Sequence, residues 1–273
     1  MFSGFMVHTW IAVSVVAVVA GAVGLFVVIR DSAFAAHTLP LGAFPGAAAA
    51  SLLGINPFFG LLAFAGLGVF GIGRLRQGTR RDVITALTLV TLLGLGALLL
   101  SLTTQYSSEI YALLFGQVLG VSSGDLGLVA ALGAVVVALT AWLYRPLLLS
   151  SVSPELAEAQ GVSSQRMEIL FLSLVALATV LTLPVVGALL VFSLMVGPPA
   201  AARLLAVRPS YAVLLSVCIA LPTAWAAVAL SYVTSWPVGF FIGTLSAAAY
   251  GLGSAWAAWR RRQSQRPAAT ELI

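Results

Sequence analysis

From Ile169 to Ala202 the chain runs for 34 residues without one Asp, Glu, Lys or Arg. A soluble domain has no place for such a run, and a bilayer does. As a single helix it would be about 51 Å long at about 1.5 Å per residue, well beyond a hydrocarbon core of about 30 Å. The run must therefore turn, and Pro184 to Gly187 is where the sequence permits it. Two short spans meeting there are expected. The remainder has the same character: 61% hydrophobic and 8% charged residues with a mean hydropathy of +1.10, where soluble domains carry roughly a quarter charged residues. The apolar runs are helix-length rather than ten-residue alternations. The expected fold is all-α, a polytopic transmembrane helical bundle.

Charge then orients the runs. All 13 basic residues are arginine, and the net charge is +5. A basic balance can signal nucleic acid, but here the arginines sit in short clusters between apolar runs, which is the positive-inside pattern. No nucleic-acid partner is expected. With every cluster in the cytoplasm, topology becomes a parity count. Phe5 to Ile29 has no basic residue before it and is too long for a signal-peptide core, so it reads as a retained span with its N-terminus outside. About forty residues separate Arg30 from Arg74, too many for one crossing. Asn56-Pro57 divides them into Phe34 to Leu53 going out and Pro57 to Ile72 returning. After the arginine-rich loop 73–81, with Asp82 as a helix cap, come Val83 to Leu102 and Leu126 to Leu149. The divided Ile169 to Ala202 run, Tyr211 to Val233 and Val238 to Trp259 complete about nine spans, with the C-terminus cytoplasmic. Ile110 to Leu119 is apolar but too short to cross, so a re-entrant or interfacial helix is expected there. The transmembrane domain thus covers residues 1–262, with a disordered cytoplasmic tail over 263–273.

The longest polar island between two strongly apolar runs is residues 151–168 (SVSPELAEAQGVSSQRME). Ser153 suits an N-cap and Pro154 the first helical position, Glu155 and Glu158 the early turns, and Gly161 a left-handed stop. A helix of about two turns, Pro154 to Gln160, is marginal alone in water and must lie against something. Either it is a connector packed on its own bundle, or it plugs into a soluble partner. Small residues at Ala157 and Ala159 would allow close approach, and the glutamates could pair with basic groups.

Catalytic signatures are largely missing. The chain has no His-Glu-x-x-His, no Gly-x-Ser-x-Gly and no phosphate-binding glycine loop with a lysine. A membrane enzyme would need His, Asp, Glu or Ser converging within the spans, whereas almost every charge here sits at a span end. No enzyme activity is expected of these residues, and with no NTPase signature any energy has to come from outside this chain. Cys218, the lone cysteine, offers no disulfide and reads as a small buried hydrophobe. His8 reads as structural. His37 is either a satisfied helix-terminal histidine or a polar group on a pathway, since neutral imidazole suits Zn²⁺ and Mn²⁺. Glu109 and Asp125 form either an outer vestibule that attracts cations or a solvated carboxylate and a helix cap.

The order of segments resembles the permease subunit of metal-ion ABC importers, the family serving zinc, manganese or iron. Arg30 through Gly46 (RDSAFAAHTLPLGAFPG) is similar to that family's arginine, His-containing stretch and Pro-Gly opening. Asp82-Val83-Ile84, Glu109 to Leu119 (EIYALLFGQVL) and Val121 to Leu126 match in turn. Tyr144-Arg145-Pro146-Leu147 followed by Ser153 to Ala157 resembles the family's cytoplasmic coupling region, and Gly187 to Leu204 its Val-Gly-x-Leu-Leu-Val run ending in Pro-Ala-x-x-Ala-Arg. Where many members carry a second histidine four residues before the Pro-Gly proline, this chain has Leu41. The resemblance implies a bacterial inner-membrane homodimer with a cytoplasmic ATP-binding subunit and an extracytoplasmic metal-binding protein. The divalent metal ion is then cargo, with no permanently bound cofactor. Pro154, Glu155, Ala157, Glu158 and Gly161 become the ATPase-coupling residues, and His37, Glu109 and Asp125 candidates for the path. An ABC permease for a metal chelate, or a polytopic membrane enzyme, is the alternative.

Overall fold

The computed structural model describes the backbone of residues 4–75, 81–102 and 123–264. The short outer helix expected at Ile110 to Leu119, Glu109, most of the arginine-rich loop and the tail from residue 265 lie outside the described residues. Ten helices account for what is described: α1 (Gly4–Ile29), α2 (Ala33–Leu52), α3 (Pro57–Leu75), α4 (Arg81–Ser101), α5 (Ser123–Val152), α6 (Pro154–Ala159), α7 (Ser164–Val186), α8 (Ala188–Leu205), α9 (Pro209–Thr234) and α10 (Val238–Ser264). Asp82 lies inside the first turn of α4 and does not precede it.

Six of these, α1, α4, α5, α7, α9 and α10, are long and apolar enough to cross a bilayer, and shorter apolar stretches cover Pro57–Gly73 in α3 and Val191–Leu205 in α8. The expectation of nine spans therefore reduces, by length and hydropathy alone, to six. In α2, Pro40, Pro45 and His37 interrupt the apolar run, whereas α3 and α8 are apolar but short among the described residues.

α1 is the central post. Every residue from Val19 to Val27 is buried, and nine consecutive positions go right round a helix of 3.6 residues per turn. Its sequence is accordingly apolar on every side, as a helix enclosed by others must be. It packs against α5, α7, α8 and α9, while α2, α3 and α4 form one flank and α8, α9 and α10 the other. Cys218 sits on an exposed face of α9, so the expectation of a buried thiol is not met.

Close contacts fix the relative directions within each flank. Ser216 donates to Gly21 O at 2.7 Å and Trp225 to Ser14 at 2.9 Å, so α9 runs antiparallel to α1. Gly24 lies under Met195 and Pro199, and Arg203 reaches Val28 O, so α8 runs parallel to α1. Gly197 meets Ser246 and Gly253 meets Ala201, which makes α10 parallel to α8. On the other flank Gly46 and Gly60 bring the backbones of α2 and α3 into contact while Leu39 meets Gly68, an antiparallel pair. Gly42 against Leu92 and Pro45 against Gly96 set α4 parallel to α2. Small residues allow this approach where lipid supplies no hydrophobic drive between helices.

The 34-residue uncharged run divides where the sequence permits. Gly187 separates α7 from α8 with φ 86° and ψ 157°, backbone that only glycine adopts without strain. Near the start of α7, Glu168 is bonded to Arg30, and near the end of α8 Arg203 is bonded to Val28. Both ends of the run therefore lie at the same end of the bundle. The run goes away and comes back.

Candidate functional site

The arginine-bearing end of the bundle carries α6. Ser153 occupies the N-cap with no side-chain cap bond, and Pro154 follows at the first helical position. Ser153 O accepts from Ala157 N at 3.0 Å, which starts the helix. The stop is a paired one: Gly161 N donates to Glu158 O at 2.9 Å and Val162 N to Ala157 O at 2.8 Å, with Gly161 at φ 80°. That is the Schellman arrangement, in which a left-handed glycine satisfies the last carbonyls. Along this helix Pro154, Glu155, Leu156, Glu158 and Ala159 are exposed, and Ala157 alone is fully buried. The two alanines thus divide: Ala157 seats α6 on its own bundle, and Ala159 faces outward beside the two glutamates.

Beneath α6 lies a group that the sequence marks as a guide to topology and as the arginine of the family-like stretch, but not as a partner of the polar island. Arg30 leaves the end of α1 with a side chain 9% exposed. Its Nη1 donates to Ser150 and Ser151 of α5, both at 3.0 Å, and its Nη2 to Glu168 of α7 at 2.8 Å. The guanidinium carbon sits 5.0 Å from the centre of the Phe171 ring, a cation–π distance. A planar fork is the side chain that reaches acceptors on two helices at once. The signal available in the sequence is the pair Ser150-Ser151 and Glu168 at the two edges of the polar island. Nothing in their spacing announces Arg30 as their common partner, 120 residues upstream.

His37 lies in the second turn of α2, half-buried, with its ring edge-on to Phe192 of α8 at 4.7 Å. Its Nδ1 is buried and has no hydrogen-bond partner among the described residues. Asp125 falls in the first turn of α5, and Glu109 lies outside the described residues. His8 is near the start of α1, at the opposite end of the bundle from Arg30. Among the described residues no three His, Cys, Asp or Glu side chains gather as a metal site. A groove of about 590 Å³ between α3 and α7 is lined by Leu62, Val69, Phe70, Ile169, Ser173 and Leu177 among others, with no titratable group to hold a cation.

Comparison with known proteins follows the same outline. A family model described as the ABC 3 transport family matches residues 3–257. The chain is 30% identical to a manganese transport system membrane protein of Listeria innocua, over 91% of this chain and 93% of that one. It is 29% identical to a high-affinity zinc uptake system membrane protein of Haemophilus influenzae, over 71% of this chain and 76% of that one. Among solved structures it is similar to PsaBC from Streptococcus pneumoniae in complex with Fab, with a TM-score of 0.83, 25% identity, and coverage of 92% and 91%.

Proposed function

We infer, since the chain belongs to the ABC 3 transport family, that it is the membrane permease of an importer for divalent metal ions. The family match along nearly the whole chain carries this reading, and relatives named for manganese and for zinc transport support it. ATP hydrolysis then resides on a separate cytoplasmic subunit, an extracytoplasmic protein delivers the ion, and two copies of this chain enclose the path. We place the arginine-bearing end in the bacterial cytoplasm. On this reading all nine long helices cross, α2, α3 and α8 among them, and the opposed directions of neighbouring helices support it. On that assignment α6 is the coupling helix. Its exposed Glu155, Leu156, Glu158 and Ala159 face the ATPase, and Ala157 and Gly161 hold its shape. His37, with an unpaired buried nitrogen, is read as a path residue, and Glu109 and Asp125 as carboxylates that attract cations.

A permease needs no metal cage. It needs polar groups that a cation passes without being retained, and a chain with two histidines and one cysteine fits that demand. The test is reconstitution of the permease with its ATPase and binding protein in vesicles, reading ATP-dependent accumulation of Mn²⁺ and Zn²⁺. Uptake of either ion is expected. Uptake of an intact metal chelate with none of the free ion would replace this substrate with the chelate. In the same vesicles Glu109→Gln and Asp125→Asn slow uptake at limiting metal. Unchanged rates in both single variants and the double would leave those carboxylates as helix caps.

A further inference from the structure

We propose that Arg30 is the positioning residue that ties both flanks of α6 to the central helix α1, so that force on α6 reaches the bundle core directly. This rests on the reading of α6 as the coupling helix. The two segments joining α6 to its neighbours are short, Ser153 on one side and residues 160–163 on the other. Neither contains a bond that fixes the end of α5 relative to the start of α7. Arg30 supplies that bond. Its one guanidinium holds Ser150 and Ser151 in the last turn of α5 and Glu168 in the second turn of α7. Ser151 and Ser150 in turn donate to Leu147 O, so both hydroxyls are oriented with their lone pairs toward the arginine.

The base of this clamp is itself anchored. Arg203, in the last turn of α8, donates to Val28 O at 3.0 Å, a cation on the negative end of α1. A displacement of α6 therefore passes through Arg30 to α1, and through Val28 to α8. α8 is the helix that carries Pro198-Pro199 and starts at the Gly187 break. Without the clamp α6 would be held by its Ala157 seat alone, with no polar tie from its two flanks to α1. A lysine in place of Arg30 would keep a charge beside Glu168 but, as a point donor, would not span the serines as well.

The experiment uses the permease with its ATPase in vesicles and reads Mn²⁺ taken up per ATP hydrolysed, with Zn²⁺ as the second probe. Arg30→Gln and the double variant Ser150→Ala/Ser151→Ala are expected to lower that ratio at least about tenfold, the scale of one charge-assisted hydrogen bond where these variants remove three and two. Arg30→Lys is expected to fall between them and wild type, and the ATPase should co-purify undiminished in all three. A second measurement is amide hydrogen exchange over residues 154–162 in the detergent-purified permease. Exchange there should quicken in the variants with α9 and α10 unchanged. If Arg30→Gln does not accumulate, the serine pair and Arg30→Lys carry the decision. Wild-type coupling and wild-type exchange in those variants would overturn the clamp. If the wild-type complex takes up neither ion, the importer reading fails, and the exchange measurement still decides whether Arg30 holds α6.

Discussion

Ala157 has no exposed surface although it lies on a six-residue helix at the edge of the molecule. Its methyl group meets its own bundle, so a larger side chain there acts first on the permease itself. Ala157→Trp overpacks that contact at a cost of about 1–3 kcal/mol and lowers the unfolding midpoint of the isolated permease. Ala159→Trp points outward and leaves that midpoint unchanged, yet it should reduce recovery of the ATPase in pull-down from membranes. Glu155→Arg together with Glu158→Arg belongs with the second case, a wild-type midpoint and weakened partner recovery. Full recovery in both outward variants would leave α6 as a connector. The residues of α6 are legible as a group, because Pro154 and Gly161 are punctuation with a physical mechanism. Which alanine faces in is not legible, since a helix of fewer than two turns shows no periodicity to read. The same holds for Arg30, whose partners come from helices distant in sequence.

Among the elements, the α7–α8 break shows how far a length argument reaches. A 34-residue apolar run cannot be one span, and the glycine that resolves it is Gly187, at the end of the PVVG segment. Its φ of 86° with ψ of 157° is strained for any residue with a Cβ, at about 1–3 kcal/mol. Gly187→Ala should therefore lower the thermal midpoint in detergent by several degrees. Gly94→Ala is the control. It lies in α4 where an added methyl group would meet open space, and helix propensity alone makes it neutral or stabilising by up to about 1 kcal/mol. Equal midpoints for the two variants would mean the break tolerates a side chain. Prolines are the poorer guide. Pro198 and Pro199 do not end α8, because in a bundle the neighbouring helices compensate for freed carbonyls. Met195, whose carbonyl Pro199 leaves without its usual donor, packs instead over Gly24.

For the whole molecule, the order of directions is the quantity that counts. The contacts that set α2 against α3 and α4, and α8, α9 and α10 against α1, are compatible with the alternation expected from arginine clustering. On the proposed orientation a cysteine at Trp236, an exposed position on the α9–α10 turn, is labelled from outside by an impermeant reagent in intact cells. A cysteine at Arg208 is not. The background for both is Cys218→Ser, since Cys218 is exposed. Labelling at residue 208 without permeabilisation would invert the assignment of the two faces. The enclosed position of α1 has a further consequence, for biogenesis. The helix with the most complete burial lies earlier in the chain than every neighbour that buries it, with α5, α7, α8 and α9 all later. During synthesis it must wait in lipid with its future contacts facing acyl chains, which a helix apolar on every side does without penalty. Ribosome-bound chains ending before α9 should leave α1 open to lipid-phase photocrosslinkers on the face around Gly21, and release of a chain that includes α9 should close it.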